Sequence, residues 1–289
     1  MAAELRDSLI IHSIPLRYTE AEVAVTPAQA RNQLLEGVTA DWIYFIDDDA
    51  FVEPSFFVTF SRTILDFPQV SALGGPNLTP PRSSRFQRAT GVALASRFAT
   101  FFSVSRYRKE GVTRETNEAS LILCNLFARR SALKKPPFPG TFICNEENWL
   151  LQTLTAEKRQ IIYAPDLWVF HERRESWPEL SRQVYKYGYG RGQNLRRRPG
   201  TLRLAHVLPS VCVIYLVVLL IALLRIRLTS VDLLLPFSLH FFLCIACGMR
   251  ATLIASESLE IGFLSMLIFP FIHFFYGLGV LNGLFKKYE

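Results

Sequence analysis

The chain has 289 residues, of which half are apolar and 20% are charged, and its formal net charge is +7 at pH 7. This composition excludes an intrinsically disordered chain, which combines low hydrophobicity with high charge. Most charged residues precede residue 204. Residues 204–285 carry six: Arg225, Arg227, Asp232, Arg250, Glu257 and Glu260. The sequence therefore predicts a water-soluble domain at 1–203 and a membrane region at 204–289.

The excess positive charge lies mainly between Arg173 and Arg203, directly before the apolar region. A basic segment beside a membrane span marks the cytoplasmic side and can bind anionic lipid headgroups. Binding of nucleic acid is the competing interpretation, but no nucleic-acid-binding motif accompanies these charges. The sequence thus predicts a membrane partner, no nucleic-acid partner and a soluble domain that faces the cytoplasm.

The soluble domain alternates between predicted helices and strands. Pro27–Leu35 is predicted to be a helix, because Thr26 is a favoured N-cap and Pro27 suits the first helical position. Trp42–Ile46 is a short apolar run typical of a buried strand. The other predicted elements are a strand at Ser8–Ile14, a helix opening at Pro54, strands at Val70–Leu73 and Leu121–Phe127, a helix at Glu146–Thr155, and strands at Ile161–Tyr163 and before His171. This order predicts an α/β fold with an open, mostly parallel sheet flanked by helices.

Three stretches without charge follow, at 207–224, 233–249 and 261–285. A helix that spans a membrane needs about 20 apolar residues, so about three transmembrane helices are predicted. Three spans would place Lys286 and Lys287, together with Arg225 and Arg227, on the side opposite to the basic segment, which the positive-inside rule disfavours. The alternative is that one segment lies in the membrane interface or re-enters.

Three adjacent carboxylates, Asp47, Asp48 and Asp49, follow the predicted strand at Trp42–Ile46. Mg²⁺ and Mn²⁺ prefer oxygen ligands, and ligands of α/β sheets bind at the carboxyl ends of strands. In an extended chain Asp47 and Asp49 project to the same side, so one can ligate a metal while the other reaches a sugar hydroxyl. A solvated acidic turn is the alternative, and the strand context favours the metal.

The segment ARNQLLEGVTADWIYFIDDDAFVEPSFF resembles the central part of family 2 glycosyltransferases with the GT-A fold. Four further segments match in the family's order: Gly74-Gly75-Pro76, CNLFARRSAL, NEENWLLQTL and IIYAPDLWVFHE. RQVYKYGYGRGQNLRRRPG is similar to the juxtamembrane segment of membrane-bound bacterial polysaccharide glycosyltransferases. The resemblance implies a metal-dependent, inverting transfer of a sugar from a nucleotide sugar, such as a UDP-sugar, to a lipid-linked or polysaccharide acceptor at the bacterial inner membrane.

The resemblance also implies roles for single residues. The donor would be bound by Asp47, Asp48, Asp49, Arg31 and Arg182. A divalent cation, Mn²⁺ or Mg²⁺, would be held by Asp49, Asp47 and His171. The acceptor would be bound by Gly75, Asn125 and Tyr185. Two of these assignments have structural alternatives: a hydrogen-bonded, half-buried histidine at His171, and a tyrosine at headgroup level for Tyr185.

The general base is implied by the family's Glu-Asp pair, whose second residue takes the proton of the acceptor. That position is Glu147 here, and Glu146 is the second candidate. A helix N-terminus favours acidic residues in any case, which is the structural alternative for both.

The family's fold begins with a strand–helix–strand portion that carries an Asp for the uracil base and a D-x-x-S-x-D element. The residues before the helix at Pro27 supply neither, so the domain is expected to be truncated at its N-terminus. A start at an internal Met, a fragment that pairs with a partner and an inactive relative are the three explanations. The alternative function is accordingly a non-catalytic, membrane-bound remnant or subunit.

Overall fold

The computed structural model describes residues 24–225 and 231–286. The strand predicted at Ser8–Ile14 lies outside the described residues, as do Arg227 and Lys287. The helices of the described part are α1 (Pro27–Leu34), α2 (Phe56–Asp66), α3 (Arg85–Leu94), α4 (Arg97–Thr100), α5 (Glu146–Ala156), α6 (Trp177–Arg197), α7 (Leu204–Arg225), α8 (Leu235–Ala255) and α9 (Leu259–Phe285). Its strands are β1 (Trp42–Ile46), β2 (Ala50–Phe51), β3 (Val70–Gly74), β4 (Asn77–Leu78), β5 (Arg114–Glu115), β6 (Asn125–Arg129), β7 (Gln160–Tyr163) and β8 (Val169–His171).

The strands form two small sheets. The five-stranded sheet has the order β1-β6-β3-β7-β5, and the three-stranded sheet has the order β2-β8-β4. In the larger sheet β3 and β7 are parallel, whereas β6 is antiparallel to both β1 and β3, and β5 is antiparallel to β7. The predicted α/β fold with flanking helices is confirmed.

The strand directions differ from the prediction, because this sheet is mixed rather than mostly parallel. Its strand β6 begins opposite the end of β1, with Asn125 paired to Ile46, and runs back along it. The chain therefore enters β6 at the end of the sheet where β1 stops. A parallel strand would require the chain to return first to the end where β1 starts. An apolar run predicts a strand but carries no information on its direction.

Apolar side chains cover the larger sheet on both faces. One cluster packs α1 and α5 against the sheet and includes the fully buried residues Phe138, Phe142, Leu151 and Tyr163. The other cluster packs α2 against it through Phe56, whose ring is stacked near Phe127. The two clusters fix the position of β1, and thereby the position of the acidic residues after it.

Three helices are long and apolar enough to cross a membrane: Leu204–Leu224, Leu235–Ala255 and Leu259–Phe285. This confirms three apolar helices in the predicted membrane region. The last one, α9, also contacts the soluble part: Glu260 pairs with Arg85 at 2.6 Å, and His273 Nε2 lies 2.9 Å from the Phe98 carbonyl oxygen. Soluble elements therefore lie against α9 near its start and near its middle.

Helices α6 and α9 approach each other at glycines. A Cβ added at Gly188 would lie 2.1 Å from the carbonyl oxygen of Tyr276, and one added at Gly279 would lie 2.2 Å from that of Tyr185. Such distances are far below van der Waals contact, so only glycine allows this packing. The close approach fixes α6, which carries much of the basic segment, against the apolar helix α9.

Candidate active site

The acidic residues after β1 lie in a tight turn. The backbone N–H of Ala50 donates to the carbonyl oxygen of Asp47 at 3.1 Å, and β2 then pairs with β8 so that Ala50 is opposite His171. The extended conformation predicted for this segment is therefore wrong. The turn nevertheless leaves both Asp47 and Asp49 close to His171. The pairing of β2 with β8 is what brings His171 beside them.

Asp47, Asp49 and His171 form a compact cluster. The Nε2 atom of His171 lies 2.8 Å from Asp49 Oδ1 and 3.9 Å from Asp47 Oδ2. One ligand atom from each of the three residues lies within 4.8 Å of the others. Asp48 is exposed and is not part of this cluster.

The charges of the cluster are strongly coupled. Burial raises the pKa of Asp47, against the opposing effect of His171 and Arg31. The hydrogen bond from His171 lowers the pKa of Asp49. Burial by itself would lower the pKa of His171, but the hydrogen bonds to Asp49 and Cys124 together outweigh it and the pKa is raised to about 9. At neutral pH the imidazolium is thus the positive charge that the two carboxylates share.

The three residues fit a divalent cation. Carboxylates suit Mg²⁺ and Mn²⁺, and an imidazole is a common metal ligand. Both carboxylates remain partly exposed, at 37% and 30% of their side chains, so further ligands from water or a phosphate have access. A cation would replace the proton of His171, because an imidazole nitrogen must be deprotonated to ligate a metal.

Glu146 and Glu147 begin α5 and are both buried, with exposures of 2% and 4%. Helix α5 follows Asn145, which adopts a left-handed conformation with φ of 60°. The side-chain amide of Asn145 donates to the carbonyl oxygen of Tyr187 at 2.6 Å. This bond ties the start of α5, and with it both carboxylates, to α6.

The two glutamates have different partners. Glu146 forms a hydrogen-bonded ion pair with Arg31, whose Nη2 atom is also 3.6 Å from Asp47 Oδ1. Burial, and next the charge of Glu147, raise the pKa of Glu146 to about 7. Glu147 is 3.3 Å from Arg106 Nη1 and accepts a hydrogen bond from the Asn148 amide at 3.2 Å. Arg31 therefore connects Glu146 directly to the acidic cluster.

Arg106 is a site residue that the sequence does not reveal. It is buried, and besides Glu147 it donates to the side chain of Asn148 at 2.9 Å and to the backbone carbonyl oxygens of Glu118 and Ala119. These partners are distant in sequence, and no motif surrounds Arg106. Only the folded chain shows that it holds Glu147 in place.

A single cavity of about 670 Å³ joins these groups. Six of the predicted site residues line it: Arg31, Asp47, Glu146, Glu147, His171 and Arg182. Lining residues that the sequence did not single out include Arg106, Arg174 and Arg191. Arg174 lies 3.8 Å from Asp49 and adds a positive charge beside the acidic cluster. Residues of the acidic cluster, the two glutamates of α5 and several arginines thus face the same cavity.

The three predicted acceptor residues do not line this cavity. Gly75 and Asn125 are buried, and the Asn125 amide donates to the carbonyl oxygen of Leu167 at 2.7 Å. Tyr185 accepts a hydrogen bond from the amide of Asn282 on α9. The structure gives each of these residues a packing contact, and their role toward an acceptor stays a prediction.

The fold and the site together define an α/β protein with long apolar helices and a carboxylate-rich cavity at the end of a strand. The sequence model of the glycosyl transferase family group 2 matches residues 42–255. Because the match covers most of the chain, the protein belongs to this family of glycosyltransferases. No curated protein matches the chain.

Proposed function

We propose that the chain is a metal-dependent, inverting glycosyltransferase that moves a sugar from a nucleotide sugar to a lipid-linked or polysaccharide acceptor. The observation that carries the proposal is the meeting of two acidic sets, Asp47 with His171 and Glu146 with Glu147, in one cavity of a family 2 chain. The first set has the side chains that bind a divalent cation, and a carboxylate of the second set can accept a proton. Together they supply what such a transfer uses: positive charge for the departing diphosphate and a base for the acceptor hydroxyl.

The donor is proposed to bind at the acidic cluster. Asp47, Asp49 and His171 would hold the divalent cation, which neutralises the charge of the departing diphosphate. Arg31 and Arg182 line the same cavity and would contact the phosphates. Asp48 is exposed, and it could contact the donor only at the rim of the site.

Transfer is proposed to be a single displacement. The acceptor oxygen forms a bond to the anomeric carbon while the bond from that carbon to the diphosphate oxygen breaks. The proton of the acceptor hydroxyl goes to a carboxylate, Glu147 or Glu146, and the nucleoside diphosphate leaves with the electron pair. One displacement inverts the anomeric configuration.

An assay with the purified full-length chain tests this function. The chain in detergent is incubated with UDP-sugars and other nucleotide sugars, and released nucleoside diphosphate is measured with Mn²⁺, with Mg²⁺ and with EDTA. We expect metal-dependent release above the rate without protein for at least one donor. Absence of release and of donor binding with every donor and metal would instead favour a non-catalytic remnant or subunit.

The membrane arrangement is proposed to be two crossings, by α7 and α8, with α9 lying against the soluble domain. Glu257, just after α8, pairs with Arg88 of the soluble part, and Arg196 donates to the carbonyl oxygen of Lys286 after the end of α9. Both ends of α9 are therefore next to soluble elements. This arrangement keeps the C-terminus on the side of the basic segment, which we propose to be the cytoplasm of a bacterial cell.

Reporter fusions distinguish two crossings from three. We expect a fluorescent protein fused after residue 289 to fluoresce in a bacterial host, and alkaline phosphatase at the same position to be inactive. The reverse result, an active phosphatase and a dark fluorescent protein, would refute two crossings and would agree with three, in which α9 also crosses the membrane.

A further inference from the structure

One buried positive charge in the cavity has no ion pair among the described residues. Arg191 lies on α6 and lines the cavity, with only 6% of the residue exposed. Nε and Nη1 of its guanidinium have no hydrogen-bond partner in the described part of the chain, and a side-chain hydrogen bond links the group to Tyr276. A buried charge without a counterion is unfavourable, because it has lost its hydration without an equivalent interaction in return.

The neighbouring arginines are paired. Arg106 lies 3.3 Å from Glu147, and the Arg203 Nη2 atom lies 2.8 Å from Glu118 Oε1. Arg191 is therefore the unmatched cation among these three. An anion that enters the cavity would find in Arg191 a buried charge with two donor nitrogens, Nε and Nη1, that have no hydrogen-bond partner in the described part of the chain.

The wall of the cavity near Arg191 belongs to the apolar helices. Six lining residues come from α7 and α9: Ala205, His206, Pro209, Ile272, His273 and Tyr276. Arg191 contacts this wall through its hydrogen bond with Tyr276. An anion held by Arg191 would thus lie beside apolar helices, where a lipid chain can continue from it.

We propose that Arg191 binds the phosphate of a membrane lipid that serves as the acceptor of the sugar. This inference rests on the proposed function and names its acceptor class. A guanidinium forms strong, charge-assisted hydrogen bonds with phosphate. A neutral glycan would occupy the unpartnered N–H groups but would leave the charge unmatched, and the donor diphosphate is proposed to bind at Asp47, Asp49 and His171 instead.

Binding of a short lipid phosphate tests the proposal without any donor. The full-length chain in phosphatidylcholine nanodiscs is titrated with farnesyl phosphate, with farnesol and with inorganic pyrophosphate, and the midpoint of thermal unfolding is recorded. Farnesyl phosphate is expected to raise the midpoint, whereas farnesol is not. Arg191→Gln should weaken the apparent affinity for farnesyl phosphate at least tenfold, and Arg191→Lys should weaken it less.

Arg85→Gln is the matched control, since it removes the same charge from an exposed site next to α9, and it should leave the affinity within twofold. Without ligand, Arg191→Gln should unfold at the same temperature or higher, because it removes an unmatched buried charge. A lower midpoint for Arg191→Gln and Arg191→Lys alike would indicate a purely structural role and overturn the proposal.

The other outcomes are also decisive. Equal, Arg191-dependent binding of pyrophosphate and farnesyl phosphate would assign the site to a free or donor phosphate rather than to a lipid. Donor turnover without binding of farnesyl phosphate would overturn this inference alone. Binding of farnesyl phosphate without turnover of any donor would leave the anion site standing and refute the proposed function.

Discussion

Asp49→Asn is expected to abolish metal-dependent donor binding while the fold is retained. Asp49 supplies one of the two carboxylates of the cluster and accepts the hydrogen bond from His171. Asparagine removes the negative charge that attracts the cation and keeps the shape of the side chain. Loss of an outer partner of a metal ligand costs about 10–100-fold in affinity, and loss of a proposed ligand should cost more.

The measurement is Mn²⁺-dependent binding of a nucleotide sugar, by calorimetry or equilibrium dialysis, with far-UV circular dichroism as the check of folding. Asp166→Asn is the matched control, because this carboxylate is 79% exposed and its ion-pair partner is Lys109, which is not a residue of the cluster. Asp48→Asn should have a smaller effect than Asp49→Asn. Unchanged Mn²⁺-dependent binding in a folded Asp49→Asn chain would refute the metal assignment.

The sequence predicts the acidic end of β1 well, because its signals are local. A short apolar run and three adjacent carboxylates identify a buried strand and an acidic segment at its end, and β1 is observed at the predicted residues Trp42–Ile46. The identity of the third cluster member, His171, came from the family resemblance. Its position depends on the pairing of β2 with β8, two short strands about 120 residues apart, which no local pattern encodes.

Other features of the site depend on packing and escape sequence analysis for that reason. Arg191 belongs to a basic segment that is expected to face water or lipid headgroups, and the glycines around it allow α6 to pack so closely on α9 that the arginine is buried. Arg106 reaches Glu147 across 41 residues of chain. The direction of β6 likewise depends on where the chain re-enters the sheet, not on its composition.

The choice between the two glutamates has a clear kinetic test. A positioned acid–base group contributes about 10²–10⁴-fold in rate, so replacement of the base by Gln should reduce kcat by that order with little change in donor affinity. The family resemblance assigns the base to Glu147, and the structure shows this carboxylate held by Arg106 and Asn148. We therefore expect Glu147→Gln to be the inactive variant.

Glu146→Gln is the matched comparison, since it alters a neighbouring buried carboxylate that faces the same cavity. If Glu147 is the base, Glu146→Gln should mainly raise the KM of the donor, because Arg31 loses its partner beside Asp47. If instead Glu146→Gln lowers kcat about 100-fold or more and Glu147→Gln does not, the base is Glu146 and the family alignment is shifted by one residue.

The pH dependence of kcat/KM is a second, independent test of which glutamate is the base. Burial and the charge of Glu147 raise the pKa of Glu146 to about 7, and a general base must be deprotonated before it can accept a proton. If Glu146 is the base, kcat/KM should therefore rise with pH through about 7, or somewhat lower once a cation adds positive charge, and level off above. This rise should disappear in Glu146→Gln together with the activity. With Glu147 as the base, the Glu146→Gln chain should stay active, and any rise that persists in it cannot come from Glu146.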